Sequence, residues 1–218
     1  MIPLRDVIPS RTTPYITVTI IVINALAWFY ELGLPREDLP VFLQQFGVVP
    51  AYFAPPTLIS SMFLHGSWSH VLGNMWYLWI FGDNVEDRMG HFRFLIFYLL
   101  CGIAAAFGQI FIDPTSTLPT IGASGAIAGV MGAYFVLYPQ SRVLTLIPLI
   151  IFWEIVELPA IFLLGFWFLM QLFSAGAIAA TANSQSGGVA FMAHVAGFIT
   201  GLVGVFVFRK REPDTRWV

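Results

Sequence analysis

Four polar side chains stand where an apolar chain has little reason to keep them. His70 and Asn74 are four residues apart, which on a helix places them on one face, about one turn along the axis. Ser124 sits in the run Gly122-Ala123-Ser124-Gly125, and His194 is followed by Gly197, Gly201 and Gly204. A serine hydroxyl is a weak nucleophile until a neighbouring base takes its proton, and an imidazole suits that task. A serine at the start of a helix also stands among backbone N–H groups that lack helical partners and can donate to an anion. His70 and Asn74 would add side-chain donors. Together these are the parts of acyl transfer: a nucleophile, a base and an oxyanion trap, whose donors are worth about 2.7–4 kcal/mol each in subtilisin-type sites.

Composition tells what kind of element must carry them. Hydrophobic residues make up 58% of the 218-residue chain and charged residues only 10%, whereas a soluble domain averages about 25% charged. Mean hydropathy is +0.80. So few charges cannot cover a water-facing surface, and the chain reads as an all-α membrane protein. Disordered, fibrous, disulfide-framework and basic nucleic-acid-binding classes are excluded, and no nucleic-acid partner is expected. Cys101 is the single cysteine, which leaves no internal disulfide and no thiolate metal cluster.

A crossing helix needs about 20 largely apolar residues to span about 30 Å of hydrocarbon. Six segments qualify: 14–32, 67–85, 92–112, 122–138, 158–175 and 189–208. Residues 1–13 read as a short cytoplasmic N-terminal segment, 14–208 as the six-span core and 209–218 as a basic cytoplasmic tail. The first apolar stretch is too long for a cleavable signal peptide and no small-residue cleavage site follows it. Residues 33–66 hold Pro35, Pro40, Pro50, Pro55 and Pro56, and read as a long outer loop lying in the interface. Residues 143–157, broken by Pro148, Glu154 and Glu157, read as a membrane-surface hairpin or short loop, with a seventh span as the alternative. The small and glycine-rich 176–188 reads as an outer gating loop.

Six spans with both termini in the cytoplasm put Arg5, Arg11, Arg88, Arg93, Arg142, Arg209, Lys210, Arg211 and Arg216 on the inner side. Of the 10 Lys and Arg residues, that leaves Arg36 alone outside, as the positive-inside rule prefers. In this orientation the second, fourth and sixth spans all begin outside. His70, Asn74, Ser124 and His194 then fall within roughly 11 Å of the outer ends of their helices, in a single layer. Polar side chains at such depth are costly and are functional candidates by default. Small-xxx-small spacing, Gly125 to Gly129 and Gly197 to Gly201, would let the fourth and sixth spans approach closely and bring serine and imidazole within reach.

Taken alone, three of the four have a plainer reading, and His194 fits a structural or a catalytic role equally. Ser124 would be a small packing residue, Asn74 an interhelical hydrogen bond, and His70 a loop anchor. Their shared depth and glycine context raise the catalytic reading. His65, just outside the second span, is expected to structure the outer loop with little catalytic weight. His91 is expected to be a solvated interface residue, Cys101 a core residue, and Glu86 with Arg88 a structural ion pair or loop lock. Asp113 is the only carboxylate between the third and fourth spans and nothing ties it to His194, so the reading is a Ser–His dyad. No H-E-x-x-H, intramembrane aspartate pair, Walker motif or inverted repeat is present, and no metal or other cofactor is called for.

At this point the chain resembles the rhomboid family of intramembrane serine proteases. The resemblance rests on His70-Val-Leu-Gly-Asn74, Gly122-Ala-Ser124-Gly125 and Ala193-His194-Val-Ala-Gly197 with Gly201, together with Glu86-Asp-Arg88 before Gly90. It implies Ser124 as nucleophile and His194 as general base. It implies an oxyanion site made of the Ser124 N–H with the His70 and Asn74 side chains, and single-pass transmembrane proteins as substrates. Two positions depart from the family pattern. Many members carry an aromatic residue four after the serine, against which the histidine rests, and here it is Ala128. The Trp-Arg pair of the first outer loop is replaced by Pro56-Thr57 at about that place. The rivals to a protease are a catalytically silent rhomboid-like adaptor in the bilayer and, further off, a small-solute transporter. The short ends and the lack of a targeting segment point to a bacterial inner membrane, with the site open to the outer side.

Overall fold

The structure, a computed structural model, describes residues 1–149, 152–181 and 190–210. The chain is an integral membrane protein built mainly as a helical bundle. Helices α1 (Tyr15–Gly33), α5 (His91–Ile112), α8 (Phe191–Phe208) and the Ala160–Ala177 part of α7 (Ala160–Thr181) are long and apolar enough to cross a membrane. Short helices α2 (Leu39–Phe46) and α3 (Thr57–Ser60) break up the long first loop.

The other two expected spans differ in an instructive way. Helix α4 (Trp68–Met89) has 22 residues, but its last two turns carry Asp83, Glu86, Asp87 and Arg88. Helix α6 (Ser124–Leu137) has only 14 residues, about 21 Å at 1.5 Å per residue and short of the hydrocarbon thickness. It can be short because it is the central helix, with every residue from Gly125 to Tyr134 buried. Irregular backbone is tolerated at membrane depth when protein covers it. The segment leading into α6 has that cover: Val48 and Thr120 exchange backbone hydrogen bonds, and the Gly122 N–H donates to the Ser61 carbonyl over 2.8 Å.

Helices α6 and α8 meet backbone to backbone. A Cβ on Gly197 would run into the Gly125 carbonyl, one on Gly201 into the Gly129 carbonyl, and one on Gly132 into the Phe198 carbonyl. Around this seam Phe81, Phe94, Phe97, Tyr98, Met131 and Tyr134 fill the centre of the bundle, and Cys101 is buried with them.

The expectation of an all-α protein is corrected by a small sheet. Strands β1 (Ile2–Asp6), β2 (Arg142–Leu149) and β3 (Phe152–Pro159) pair antiparallel in the order β1-β2-β3. The 142–159 stretch is rich in β-branched and aromatic residues, and Pro148 disfavours a helix there. The stretch closes into the hairpin form of the earlier expectation, Leu149 facing Phe152. Residues of the N-terminal segment supply the third strand, with Ile2 opposite Leu146 and Asp6 opposite Val143. The expected 176–188 loop is corrected in part as well. Helix α7 continues to Thr181 through Ala175, Ala177, Ala179 and Ala180, all strong helix formers, and 182–189 lie outside the described residues. Of the basic tail, only 209–210 are described, and the Lys210 N–H donates to the Arg88 carbonyl.

The end of α4 opposite His70 holds these parts together. Glu86 is fully buried and accepts the backbone N–H groups of Ile16 (3.0 Å) and Thr17 (2.8 Å) and the Thr17 hydroxyl (2.7 Å). It thus caps α1, whose own N-cap, Pro14, offers no side-chain acceptor. His91 is bound to the same carboxylate, Nδ1 at 2.6 Å, rather than simply solvated, although 44% of its side chain is exposed. Of the two expected roles for Glu86, the lock is the one its contacts describe. Asp87 accepts from the Arg11 and Thr12 N–H groups, and Ser10 donates to Asp83. Nearby, Tyr134 Oη lies 2.7 Å from Asp6 Oδ2 and 2.9 Å from Ser141 Oγ.

Two outcomes follow. Gly201→Ala, which sets a methyl against backbone, lowers stability by about 1–3 kcal/mol. Gly73→Ala, with nothing within 4 Å of the new methyl, leaves it unchanged or raised; thermal unfolding in detergent compares the two. Burial, with Asp83 nearby, pushes the Asp6 carboxyl up to about 6. Its contribution is therefore most favourable below the ordinary carboxylate range and declines as pH rises through about 6. Between about pH 4 and pH 7 the unfolding midpoint of Asp6→Asn should fall less than that of the unsubstituted protein.

Candidate active site

The site is assembled at the start of α6. Ala123 is the N-cap and supplies no side-chain acceptor, so the first N–H groups of the helix have no partner within it. Just before it, Gly122 has φ of +117°, a conformation open to glycine and strained for other residues. Space dictates glycine too: a Cβ there would lie 2.6 Å from His70 Nε2 and 3.6 Å from Asn74 Nδ2. The two α4 side chains thus lie against the backbone two residues ahead of Ser124.

Ser124 is half-buried, and its Oγ lies 2.8 Å from His194 Nε2. His194 is buried, at 8% exposure. Its other ring nitrogen, Nδ1, is 2.8 Å from Gln171 Oε1, and its ring lies against Trp167 with centroids 5.8 Å apart. Both partners belong to α7, four residues and one turn apart.

On the α4 side Asn74 is buried, and its amide Nδ2 lies 3.0 Å from His65 Nε2. His65 is itself buried, meets the His70 ring edge-on at 5.0 Å, and donates its backbone N–H to the Glu31 carboxylate at 3.2 and 3.3 Å. Since the amide nitrogen can only donate, His65 Nε2 is the acceptor.

The structure therefore brings Ser124 and His194 into hydrogen-bond contact, and brings His70 and Asn74 up to Gly122. Gly125, Gly197 and Gly201 lie in the α6–α8 seam behind them. Glu86 and Arg88 stand 12 or more residues along α4 from Asn74, about 18 Å or more away, and do not reach the site. Among the described residues, no group of three or more His, Cys, Asp or Glu could hold a metal ion. A cavity of about 100 Å³ between Tyr77, Met131, Leu163, Leu164 and Met170 shares Trp167 with the site but none of its polar groups.

Gln171, Trp167, Glu31 and the supporting role of His65 were missed in the sequence reading. Gln171 and Glu31 carried a usable signal, since both are strongly polar side chains inside apolar spans, the rule that singled out His70 and Asn74. Trp167 carried none, being one aromatic among many.

Against known proteins, a family model described as "Rhomboid domain" matches residues 55–211, well over half of the chain. The chain belongs to the rhomboid family. It is similar to "Rhomboid-like protein 11, chloroplastic" of Arabidopsis thaliana, 28% identical over 198 residues, which are 86% of this chain and 66% of that one. It is also similar to "Rhomboid protein 1, mitochondrial" of Saccharomyces cerevisiae, 32% identical over 92 residues (40% of this chain, 27% of that one). "Rhomboid protease GluP" of Bacillus subtilis is 35% identical over 85 residues (39% and 16%). The chain thus spans less than two thirds of the length of these relatives. Their names include both proteases and rhomboid-like proteins. The chloroplastic and mitochondrial compartments among them give the expected bacterial inner membrane no support.

Replacing Gly122 tests how closely the entry to α6 is fitted. Gly122→Ala meets both the positive φ and the His70 ring, and should lower stability by about 1–3 kcal/mol in thermal unfolding.

Proposed function

We propose that the chain is an intramembrane serine endopeptidase that cleaves transmembrane segments of other membrane proteins, working through Ser124 and His194. The single observation that carries this reading is the 2.8 Å contact between Ser124 Oγ and His194 Nε2. That is hydrogen-bond reach for a base beside its nucleophile.

The reaction runs as follows. Ser124 Oγ attacks the carbonyl carbon of the scissile peptide while His194 Nε2 takes the hydroxyl proton. Charge develops on the former carbonyl oxygen. The N–H groups at the start of α6, which have no partner within the helix, lie on one side of it, and His70 and Asn74, against Gly122, supply side-chain donors. The C–N bond then breaks, His194 returns the proton to the leaving amine, and the acyl chain remains on Ser124. Water, deprotonated by His194 in turn, attacks the acyl carbon and restores the serine.

This arrangement suits a substrate already in the bilayer. In an intact helix the carbonyl is engaged by its own backbone, as every polar backbone group in lipid must be. Single-pass proteins with a locally weak outer stretch (Gly, Pro, Ser or Asn) are therefore the favoured class. The proposed topology has six spans, with α4 and α6 joining the four helices that are both long and apolar enough to cross, both ends cytoplasmic and Ser124 in the outer half of the membrane. The shortness of α6 supports a recessed serine, and the distribution of Lys and Arg supports the orientation. No cofactor takes part in these steps.

A fluorophosphonate probe applied to detergent-solubilised protein tests the reading. The unsubstituted chain should be labelled, Ser124→Ala should not, and His194→Ala should lose at least about a hundredfold in labelling rate. If the unsubstituted chain takes no label and cuts no single-pass protein in liposomes, it is a silent rhomboid-like adaptor and the protease reading fails.

A further inference from the structure

We infer that Gln171 is a positioning residue for the reaction: its amide oxygen fixes the tautomer of His194 that can accept the serine proton. The inference rests on the protease reading above and adds a third member to it. An amide oxygen accepts and cannot donate, so the 2.8 Å contact from Gln171 Oε1 places the ring hydrogen on His194 Nδ1. Nε2 then carries the lone pair, and it faces Ser124 Oγ at 2.8 Å. An amide turned the other way would offer an N–H to Nδ1, move the hydrogen to Nε2 and leave the serine hydroxyl without an acceptor. One contact on the far side of the ring thus decides whether the near side can act as a base.

The same helix also sets the plane of the ring. Trp167, one turn before Gln171, lies against His194 and also beside Phe198, centroids 6.1 Å apart, which holds the indole in place. Ala128, fully buried and with a single methyl, offers no ring on which an imidazole could rest. Helix α7 therefore provides both a platform for the ring and an acceptor for its hydrogen.

A neutral amide in this position has a physical reason. His194 is buried within an apolar bundle, and a carboxylate beside it would have to be taken out of water, a severe penalty unless fully compensated. Glutamine supplies the oriented oxygen without the charge. It gives up the extra stabilisation a carboxylate would lend the imidazolium formed after proton transfer. A carboxylate at 171 should therefore hold the tautomer as well as the amide does, and should also raise the basicity of His194.

Fluorophosphonate labelling rates measured across pH in detergent test this, with thermal unfolding as the check on folding. Gln171→Leu should label at least about tenfold more slowly than the unsubstituted protein near neutral pH. Gln171→Glu should recover most of that rate at alkaline pH, with the midpoint of its acid limb about one pH unit or more higher. A loss of packing alone would not move that midpoint. His70, against Gly122 on the α4 side, is another titratable side chain of the site, and it is common to all three proteins, so it produces no difference between them. If Gln171→Leu labels within twofold at every pH, or Gln171→Glu keeps the unsubstituted midpoint, the inference is wrong while the protease reading stands. Should Gln171→Leu fail to fold, the midpoint of Gln171→Glu alone decides. An unsubstituted protein that takes no label overturns the protease reading, and this inference with it.

Discussion

Two helices touching without side chains between them is the constraint on which the molecule rests. Lipid tails are as apolar as leucine, so helices in a bilayer gain nothing from hiding hydrophobic surface from one another and must associate through close packing and hydrogen bonds. Along α6 and α8 that packing is closed by Gly132, Gly197 and Gly201, whose missing Cβ atoms leave room for the facing carbonyls, while Gly125 and Gly129 make room for Ala105 and Cys101 of α5. The seam leads directly to the start of α6, where Ser124 stands, and His194 lies three residues ahead of Gly197. The serine–imidazole contact is thus a consequence of helix approach more than of any force between those two groups.

What the seam does not supply is orientation, and two strings of polar contacts do. One runs from the Glu31 carboxylate through the His65 backbone N–H, and from the His65 ring to Asn74 against Gly122. The other runs from Gln171 through His194 to Ser124. Each begins on a different helix, α1 and α7, and the two converge on three consecutive residues, 122–124. A polar group buried in such surroundings costs free energy unless it is paired, so the strings hold their members to narrow geometries. The second string contains no carboxylate, in keeping with the expense of carrying a charge to that depth.

At the other end of α4 the logic is different. There Glu86, Asp87 and Asp83 gather the start of α1 and the residues that lead into it, while β1 joins the 142–159 hairpin. These contacts fix which way α4 faces along its length, and so hold His70 and Asn74 toward α6 from about 18 Å away. The polar residues of this end serve architecture, those of the opposite end lie beside Ser124, and the apolar middle of the helix separates them.

Much of this was legible in one dimension, for reasons that are themselves physical. Hydrophobic length marks helices that cross a bilayer, and glycine spacing marks a face that allows close approach. A polar side chain in an apolar run is too costly to be idle. Those rules were enough to single out Ser124, His194, His70 and Asn74 and to expect two of them to meet. They could not tell which of several helices faces the far side of the His194 ring, because a helix presents every direction around its axis and only packing selects one. Trp167 and Gln171 became partners of His194, and Glu31 of His65, through that selection. The sheet was hidden for a similar reason: β1 and β2 are about 140 residues apart, and their pairing depends on where the bundle delivers their ends. Residue chemistry is written locally, whereas contact across the bundle is set by the arrangement of all its helices at once.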